Sequence, residues 1–183
     1  MGTPKAFLIY KENCTFLEKI VSSFLEYNSS KIILVMNNAD AKVLETSYPN
    51  LKKKINLVIN NKPENGRFPS IKLGLNSLSK NENCFIHNID NPGIGKNLLN
   101  SMTGILKPKS FVVPVFKGKG GHPILLSKEI CSFLQKQSAE DLNLKQLLSG
   151  FEKTELPTTN ENVLLNINTR EDYIKFKKEY HEH

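Results

Sequence analysis

Stretches of continuous or alternating β-branched residues take turns along this chain with stretches of helical apolar period, the mark of a parallel or mixed sheet covered by helices. The first helix is predicted over Thr15 to Tyr27. Phe16, Leu17, Ile20, Val21, Phe24 and Leu25 share one face there, and Thr15 and Glu18 have the spacing of a capping box. Strands are expected at Ile32 to Met36 and Ile55 to Ile59, separated by a helix from Ala39 to Ser47 that Pro49 stops. A polar loop from Asn60 to Arg67 leads into a helix from Ser70 to Leu78 and a strand from Cys84 to Ile89.

Beyond that strand the pattern predicts a helix from Ile94 to Leu106 and strands at Phe111 to Phe116 and Pro123 to Leu126, joined by the glycine-rich turn Lys117 to His122. Helices at Lys128 to Gln135 and Leu142 to Leu148, a strand at Val163 to Ile167 and a basic helix from Thr169 to Tyr180 complete the reading. No repeat, linker or low-complexity run divides the 183 residues, so one domain over 1–183 is expected.

Composition narrows the function. No apolar run approaches the roughly 20 residues of a membrane helix, and Ala6 to Tyr10 is too short for a secretory segment, so a cytoplasmic protein with no membrane partner is expected. Met1-Gly2 lacks the Ser or Thr at position 6 that myristoylation wants, since Ala6 stands there. Cys14, Cys84 and Cys131 are far apart and form no Cys-x-x-Cys pair, which points to free thiols. With 25 Lys and Arg against 18 Asp and Glu the net charge is +7. The lysines are scattered apart from Lys52-Lys53-Lys54, so phosphorylated small molecules are the expected partners and nucleic acid is not.

In open α/β sheets ligands bind beyond the carboxyl ends of the strands, and three such segments carry chemistry. In Asn60 to Ser70, Gly66 and a helix N-terminus offer backbone N–H groups, Arg67 a fork of donors and Ser70 a hydroxyl; the bland reading is a polar turn with a serine cap. Asp90, at a strand end, has the hard oxygens that hold Mg²⁺ against a phosphate, or it is a turn residue. Asn166 and Asn168 point to one side of a strand that leads into a helix, where Asn168 or Thr169 also reads as an N-cap. His122, in Gly120-Gly121-His122-Pro123, has no Ser, Cys or carboxylate motif beside it and reads as structural.

In order and spacing these motifs resemble the MobA-like nucleotidyltransferases, particularly the branch containing molybdenum cofactor cytidylyltransferase, over nearly the whole chain. Met1-Gly2-Thr3-Pro4-Lys5 is similar to the end of the family's glycine-rich loop, Gly66 to Leu75 to its base-recognition segment, and Ile89-Asp90-Asn91-Pro92 to its Asp-Gln-Pro. Gly121-His122-Pro123 is similar to its Gly-His-Pro, and Asn166 to Asp172 to its Asp-Ile-Asp-Thr-Pro-Glu-Asp. The resemblance implies a three-layer, Rossmann-like, mostly parallel sheet with helices on both faces, of the nucleotide-diphospho-sugar transferase kind. Here it lacks the family's first strand and glycine-rich loop.

It further implies nucleotide contacts for Gly2, Lys5, Gly66, Arg67 and Ser70, catalytic roles for Lys5 and Asp90, Mg²⁺ on Asp90 and Asn168, and an acceptor pocket at His122. The implied reaction moves a nucleoside monophosphate from CTP or GTP to a phosphorylated, molybdopterin-like small molecule, with release of pyrophosphate. Asn166 and Asn168 stand where the family has aspartates, which keeps open a degenerate homologue that binds nucleotide or a partner without turnover. The resemblance also aligns Met1 with a methionine inside the loop, an expectation of a start about twenty residues upstream. Without a central strand, open sheet edges are expected to give poor solubility, a homodimer through the gap or a neighbouring element within it.

Overall fold

The computed structural model describes residues 2–137 and 142–181, so Met1, the residue aligned with the loop methionine, lies outside it. A 3₁₀ turn, Lys5–Phe7, leads into a hairpin of β1 (Ile9–Lys11) and β2 (Cys14–Thr15) and then α1 (Phe16–Glu26). The helix starts where the sequence places it. Thr15 Oγ1 accepts the Glu18 N–H at 3.2 Å while Glu18 Oε2 accepts the Thr15 N–H at 2.8 Å, so two otherwise orphaned donors are satisfied reciprocally.

Two elements of sheet follow. β3 (Ile33–Met36) and β4 (Asn56–Ile59) pair in parallel, connected through α2 (Asn38–Ser47) and α3 (Pro49–Lys52). After α4 (Arg67–Asn76) come β5 (Cys84–Ile86), α5 (Lys96–Gly104), β6 (Ser110–Phe116), β7 (Lys119–Gly120) and β8 (Ile124–Leu126). The chain ends with α6 (Lys128–Gln135), α7 (Leu144–Leu148), β9 (Glu152–Pro157) and α8 (Arg170–His181). The second sheet runs β5-β8-β6, with β7 antiparallel at the end of β6 and β9 parallel along it.

β6 is the buried spine, and its side chains alternate between two helical layers. Phe111 and Val113 pack with Phe68 and Leu75 of α4, Ile130 and Leu134 of α6 and Leu148 of α7, while Val112 packs with Met102 of α5. That is the expected α/β sandwich with helices on both faces, and the longer ladders, β3 with β4 and β6 with β9, are parallel. Among the described residues, however, β3 pairs only with β4 and β5 only with β8, so the sheet is in two pieces.

Several expectations need correction. The predicted strand Val163 to Ile167 is a 3₁₀ turn, Glu161–Leu164, followed by irregular chain. Its apolar residues are anchors rather than rungs: Val163 is fully buried, its carbonyl accepts the His122 N–H at 2.8 Å, and the Ile167 N–H donates to the Asp90 carbonyl at 3.0 Å. The strand that does form, β9, was not predicted, because an edge strand of sequence Glu-Lys-Thr-Glu-Leu-Pro is largely exposed and reads as polar. Helix α4 starts three residues before Ser70, at Arg67, and β5 stops at Ile86, leaving His87 to Asp90 as irregular chain at its end. The helix expected from Ile94 begins at Lys96 after Gly95, and the one expected from Leu142 begins at Leu144.

Candidate nucleotide and metal site

Three chain segments converge on the ammonium of Lys5. The Lys5–Phe7 turn is held down by burial of Ala6 and Phe7, and the Phe7 ring stacks on Tyr48 at 5.1 Å. Asp90 follows β5, and its carbonyl is tied to Ile167, which sets Asn168 opposite. Asn168 and Thr169 donate their N–H groups to Asp172 Oδ2, and the Asp172 N–H returns to Thr169 Oγ1, so α8 is capped from within. These N–H donors, Thr169 first, hold the Asp172 carboxyl below the usual range. The helix is moored by Phe16, Tyr173 and Phe176, and by Tyr173 Oη donating to the Ile9 carbonyl at 3.0 Å.

In this arrangement Lys5 Nζ lies 2.5 Å from Asn168 Oδ1 and 3.8 Å from Asp90 Oδ2. Lys5, Asp90 and Asn168 come from positions 5, 90 and 168, and the fold brings all three together. Asp90 Oδ1 is buried without a hydrogen-bond partner. A buried carboxylate oxygen left in that state is costly, and a cation would satisfy it. Among the described residues no three His, Cys, Asp or Glu side chains group as a metal site, so an all-protein cage is absent there. One carboxylate oxygen and one amide oxygen suit Mg²⁺, which takes few protein ligands and completes its shell with water and phosphate.

A second cluster adjoins the first through the segment 87–90. Arg67, the first residue of α4, donates from Nη2 to Asn88 Oδ1 at 2.5 Å, and Asn88 Nδ2 lies 3.0 Å from His122 Nε2. Arginine can only donate, which fixes the Asn88 amide with its oxygen toward Arg67 and its NH₂ toward His122. His122 Nε2 is then an acceptor, and its proton sits on Nδ1, which is buried without a partner. His87 has the opposite tautomer: its Nε2 lies 2.6 Å from the Asn91 carbonyl and must donate to it. The backbone N–H of His122 and the Nδ2 of buried Asn91 both reach the Val163 carbonyl, so this turn locks the 160s loop against Asp90.

Burial lowers both imidazole pKa values, that of His87 to about 3 and that of His122, with help from the Arg67 charge, to about 4. Both rings are neutral at pH 7. The unfolded chain binds these protons near pH 6.5 and the folded chain does not, so between pH 6.5 and pH 3 stability falls as pH falls. Melting temperature measured from pH 8 to pH 4 should be flat down to about 6.5 and then decline. His122→Asn should make the decline shallower; an unchanged slope would remove His122 as a contributor.

On the other side, Gly66 has φ 93°, a region that glycine adopts without strain, and it opens α4 with no side-chain cap. The N–H groups of the first turn therefore face outward unclaimed by a cap, a favourable place for an anion or a polar base edge. Ser70 lies inside that turn, not at the helix cap, and its Oγ accepts from Nδ2 of the buried Asn60 at 2.9 Å. Arg67, Ser70, Asn88 and Asp90 line one cavity of about 710 Å³. Gly2 is not drawn in: it is exposed at φ 66°, and a Cβ there would meet no atom within 4 Å.

Neither Asn88 nor Asn60 carries a sequence signal of its own for this role. Asn88 was hidden inside a predicted strand; Asn60 opens a segment already marked as lying beyond a strand end.

The family model described as MobA-like NTP transferase domain matches residues 1–156. The chain is 27% identical over 182 residues to the molybdenum cofactor cytidylyltransferase of Escherichia coli strain K12, covering 100% of this chain and 91% of that protein. It is 28% identical over 155 residues to a probable molybdenum cofactor guanylyltransferase of Clostridium perfringens strain SM101, covering 81% of this chain but only 65% of that protein. In fold it is similar to Rv0371C of Mycobacterium tuberculosis H37Rv, solved as a complex with manganese. The TM-score is 0.78 at 19% identity, covering 97% of this chain and 93% of that one.

Proposed function

Since the chain belongs to the MobA-like NTP transferase family, we propose that it transfers a nucleoside monophosphate from CTP or GTP to a phosphorylated, molybdopterin-like small molecule in a Mg²⁺-dependent reaction. The observation that carries this reading is the convergence of Lys5, Asp90 and Asn168 beyond the end of β5, with one Asp90 oxygen unpartnered. An oxygen of the acceptor attacks the α-phosphorus, the bond from that phosphorus to the bridging oxygen breaks, and pyrophosphate leaves with the electron pair. Such a transfer asks little covalent chemistry of the protein, whose task is to position groups and charges.

Lys5 sets its ammonium against the departing β and γ phosphates, giving up its contact with Asn168 as nucleotide enters. Asp90 Oδ1 and Asn168 Oδ1 would hold the Mg²⁺. When bound, the ion polarises phosphoryl oxygens and offsets charge that develops on them. Gly66 and the free N–H groups behind it face the nucleotide, Ser70 reads the base edge with its hydroxyl, and Arg67 adds positive charge. His122, neutral and oriented by Asn88, stands on the acceptor side and holds Asn88 and the 120s turn in place. The manganese held by the mycobacterial protein supports a divalent ion, and the longer match to the cytidylyltransferase favours CTP.

The test is a thermal shift of the full chain with CTP, GTP, ATP and UTP, with Mg²⁺ or with EDTA. A nucleotide present at a hundred times its dissociation constant should stabilise by roughly 2.7 kcal/mol, several degrees in a chain of this size. One nucleotide acting only with Mg²⁺, together with pyrophosphate release on adding acceptor, is expected. A shift without release would favour a nucleotide-binding homologue that does not turn over, the reading that amides at 166 and 168 in place of carboxylates support. No shift with any nucleotide would sink the transferase assignment.

A further inference from the structure

Cys84 and Cys131 are far apart in sequence but share one corner of the core. Cys84 opens β5 directly after the mostly exposed turn Ser79 to Asn83, and its neighbour across the antiparallel ladder is Leu126, the last residue of β8. Helix α6 begins just beyond Leu126, and the Lys128 N–H donates to Asn83 Oδ1 at 2.9 Å, which holds the first turn of the helix over the start of β5. Cys131 lies one turn into that helix, its N–H on the Ser127 carbonyl at 3.0 Å, and it is buried. Both side chains pack in the cluster that contains Phe68 and Leu75 of α4 and Ile130 and Leu134 of α6.

The two sulfurs are hydrogen-bonded to each other. The Cys84 S–H already donates to the Phe85 carbonyl at 3.3 Å, so the bond between the sulfurs uses the Cys131 proton, with Cys84 Sγ accepting. Donating that bond, and then burial, push the Cys131 thiol up, whereas accepting it lowers Cys84. Cys84 is therefore the thiol that ionises first, with Cys131 held against it. Among the described residues no third His, Cys, Asp or Glu groups with them, so the pair lacks the donor set of a structural zinc site. A disulfide bond is about 2.05 Å long and each thiol swings on one dihedral, so sulfurs already in contact need only small rotations to bond.

We propose that Cys84 and Cys131 form a reversible oxidation site, closed to a disulfide by a hydroperoxide and reopened by a dithiol. The Cys84 thiolate attacks the peroxide; a sulfur–oxygen bond forms, the oxygen–oxygen bond breaks, and hydroxide leaves and takes up a proton. The Cys131 sulfur then attacks the Cys84 sulfur, the sulfur–oxygen bond breaks, and water departs with the Cys131 proton. Each sulfur gives up one electron and the peroxide receives both, so two thiols and hydrogen peroxide yield a disulfide and two waters. A dithiol reverses the change by exchange and becomes a disulfide itself. This site goes beyond the transferase reading and does not depend on it.

The experiment treats the full, reduced chain with a small excess of hydrogen peroxide, stops the reaction with catalase, alkylates the remaining thiols and maps the peptides without reduction. The expected product is a monomer lighter by about 2 Da, with the peptides of Cys84 and Cys131 linked and the link lost in dithiothreitol. Cys14 is the internal control: its Sγ faces the Thr15 carbonyl at 3.6 Å, burial and then the Glu18 carboxylate raise its thiol, and it should be recovered free. Because the link closes a long loop, the oxidised chain should melt several degrees above the reduced one and return to it in dithiothreitol. Cys131→Ala should form no link and should leave Cys84 as a sulfenic acid that dimedone captures. Three results would overturn the proposal: free thiols at both positions after peroxide, a link to Cys14 or between chains in place of the one from Cys84 to Cys131, or a linked chain that melts below the reduced one.

Discussion

Asp90→Asn should lower turnover about a thousandfold while leaving the melting temperature within a few degrees of the parent. A thousandfold corresponds to about 4 kcal/mol of transition-state stabilisation, the scale expected when a carboxylate that positions a divalent ion loses its charge. The fold should tolerate the change because the Asp90 side chain contributes little to packing. Its Oδ1 has no partner, its Oδ2 meets Lys5 only at 3.8 Å, and the contact that ties it to the 160s loop comes from its main-chain carbonyl. Pyrophosphate release and a thermal melt of the same preparation measure the two halves. Full Mg²⁺-dependent turnover in the variant would mean that the ion sits elsewhere.

Gly121→Ala should be the most damaging single methyl in the chain, at roughly 3 kcal/mol or more, which is about 6–12 °C of melting temperature at this size. A Cβ at 121 would lie 2.2 Å from the Val163 carbonyl oxygen and 2.7 Å from its carbon. Backbone cannot swing aside as a long side chain can, so either the turn or the loop must shift. Both are already committed, since that same carbonyl receives the N–H of His122 and the amide of Asn91. The loop runs on to Ile167 and Asn168, so the damage should reach the site as weakened nucleotide stabilisation. Gly118→Ala makes a useful contrast: its Cβ would meet nothing within 4 Å, and only its φ of 76° would resist. If Gly121→Ala melts like the parent, the contact between the 120s turn and the 160s loop is not what fixes this corner.

How much of this was legible beforehand follows from what each signal depends on. The Thr15 and Glu18 capping box and the apolar face of α1 are local, and they appear as read except at Leu25, which is exposed near the helix end. β6 is a continuous apolar run because it is buried on both faces, and it too appears as read. β9 is an exposed edge whose only strand signal is its pairing with β6, and Val163 to Ile167 is apolar because it is pinned by two distant residues rather than by a ladder. A period of two cannot tell those cases apart.

The same division runs through the site. Sequence alone settled the alternation of strands and helices, the placement of polar residues after strand ends, and the motif order that marks the family, since each rests on neighbours along the chain. Tertiary structure alone decided that positions 5, 90 and 168 meet at one ammonium and that Asn88 fixes the His122 tautomer. Such contacts join segments more than eighty residues apart in the case of Lys5, and their energies exist only once the layers between them have packed.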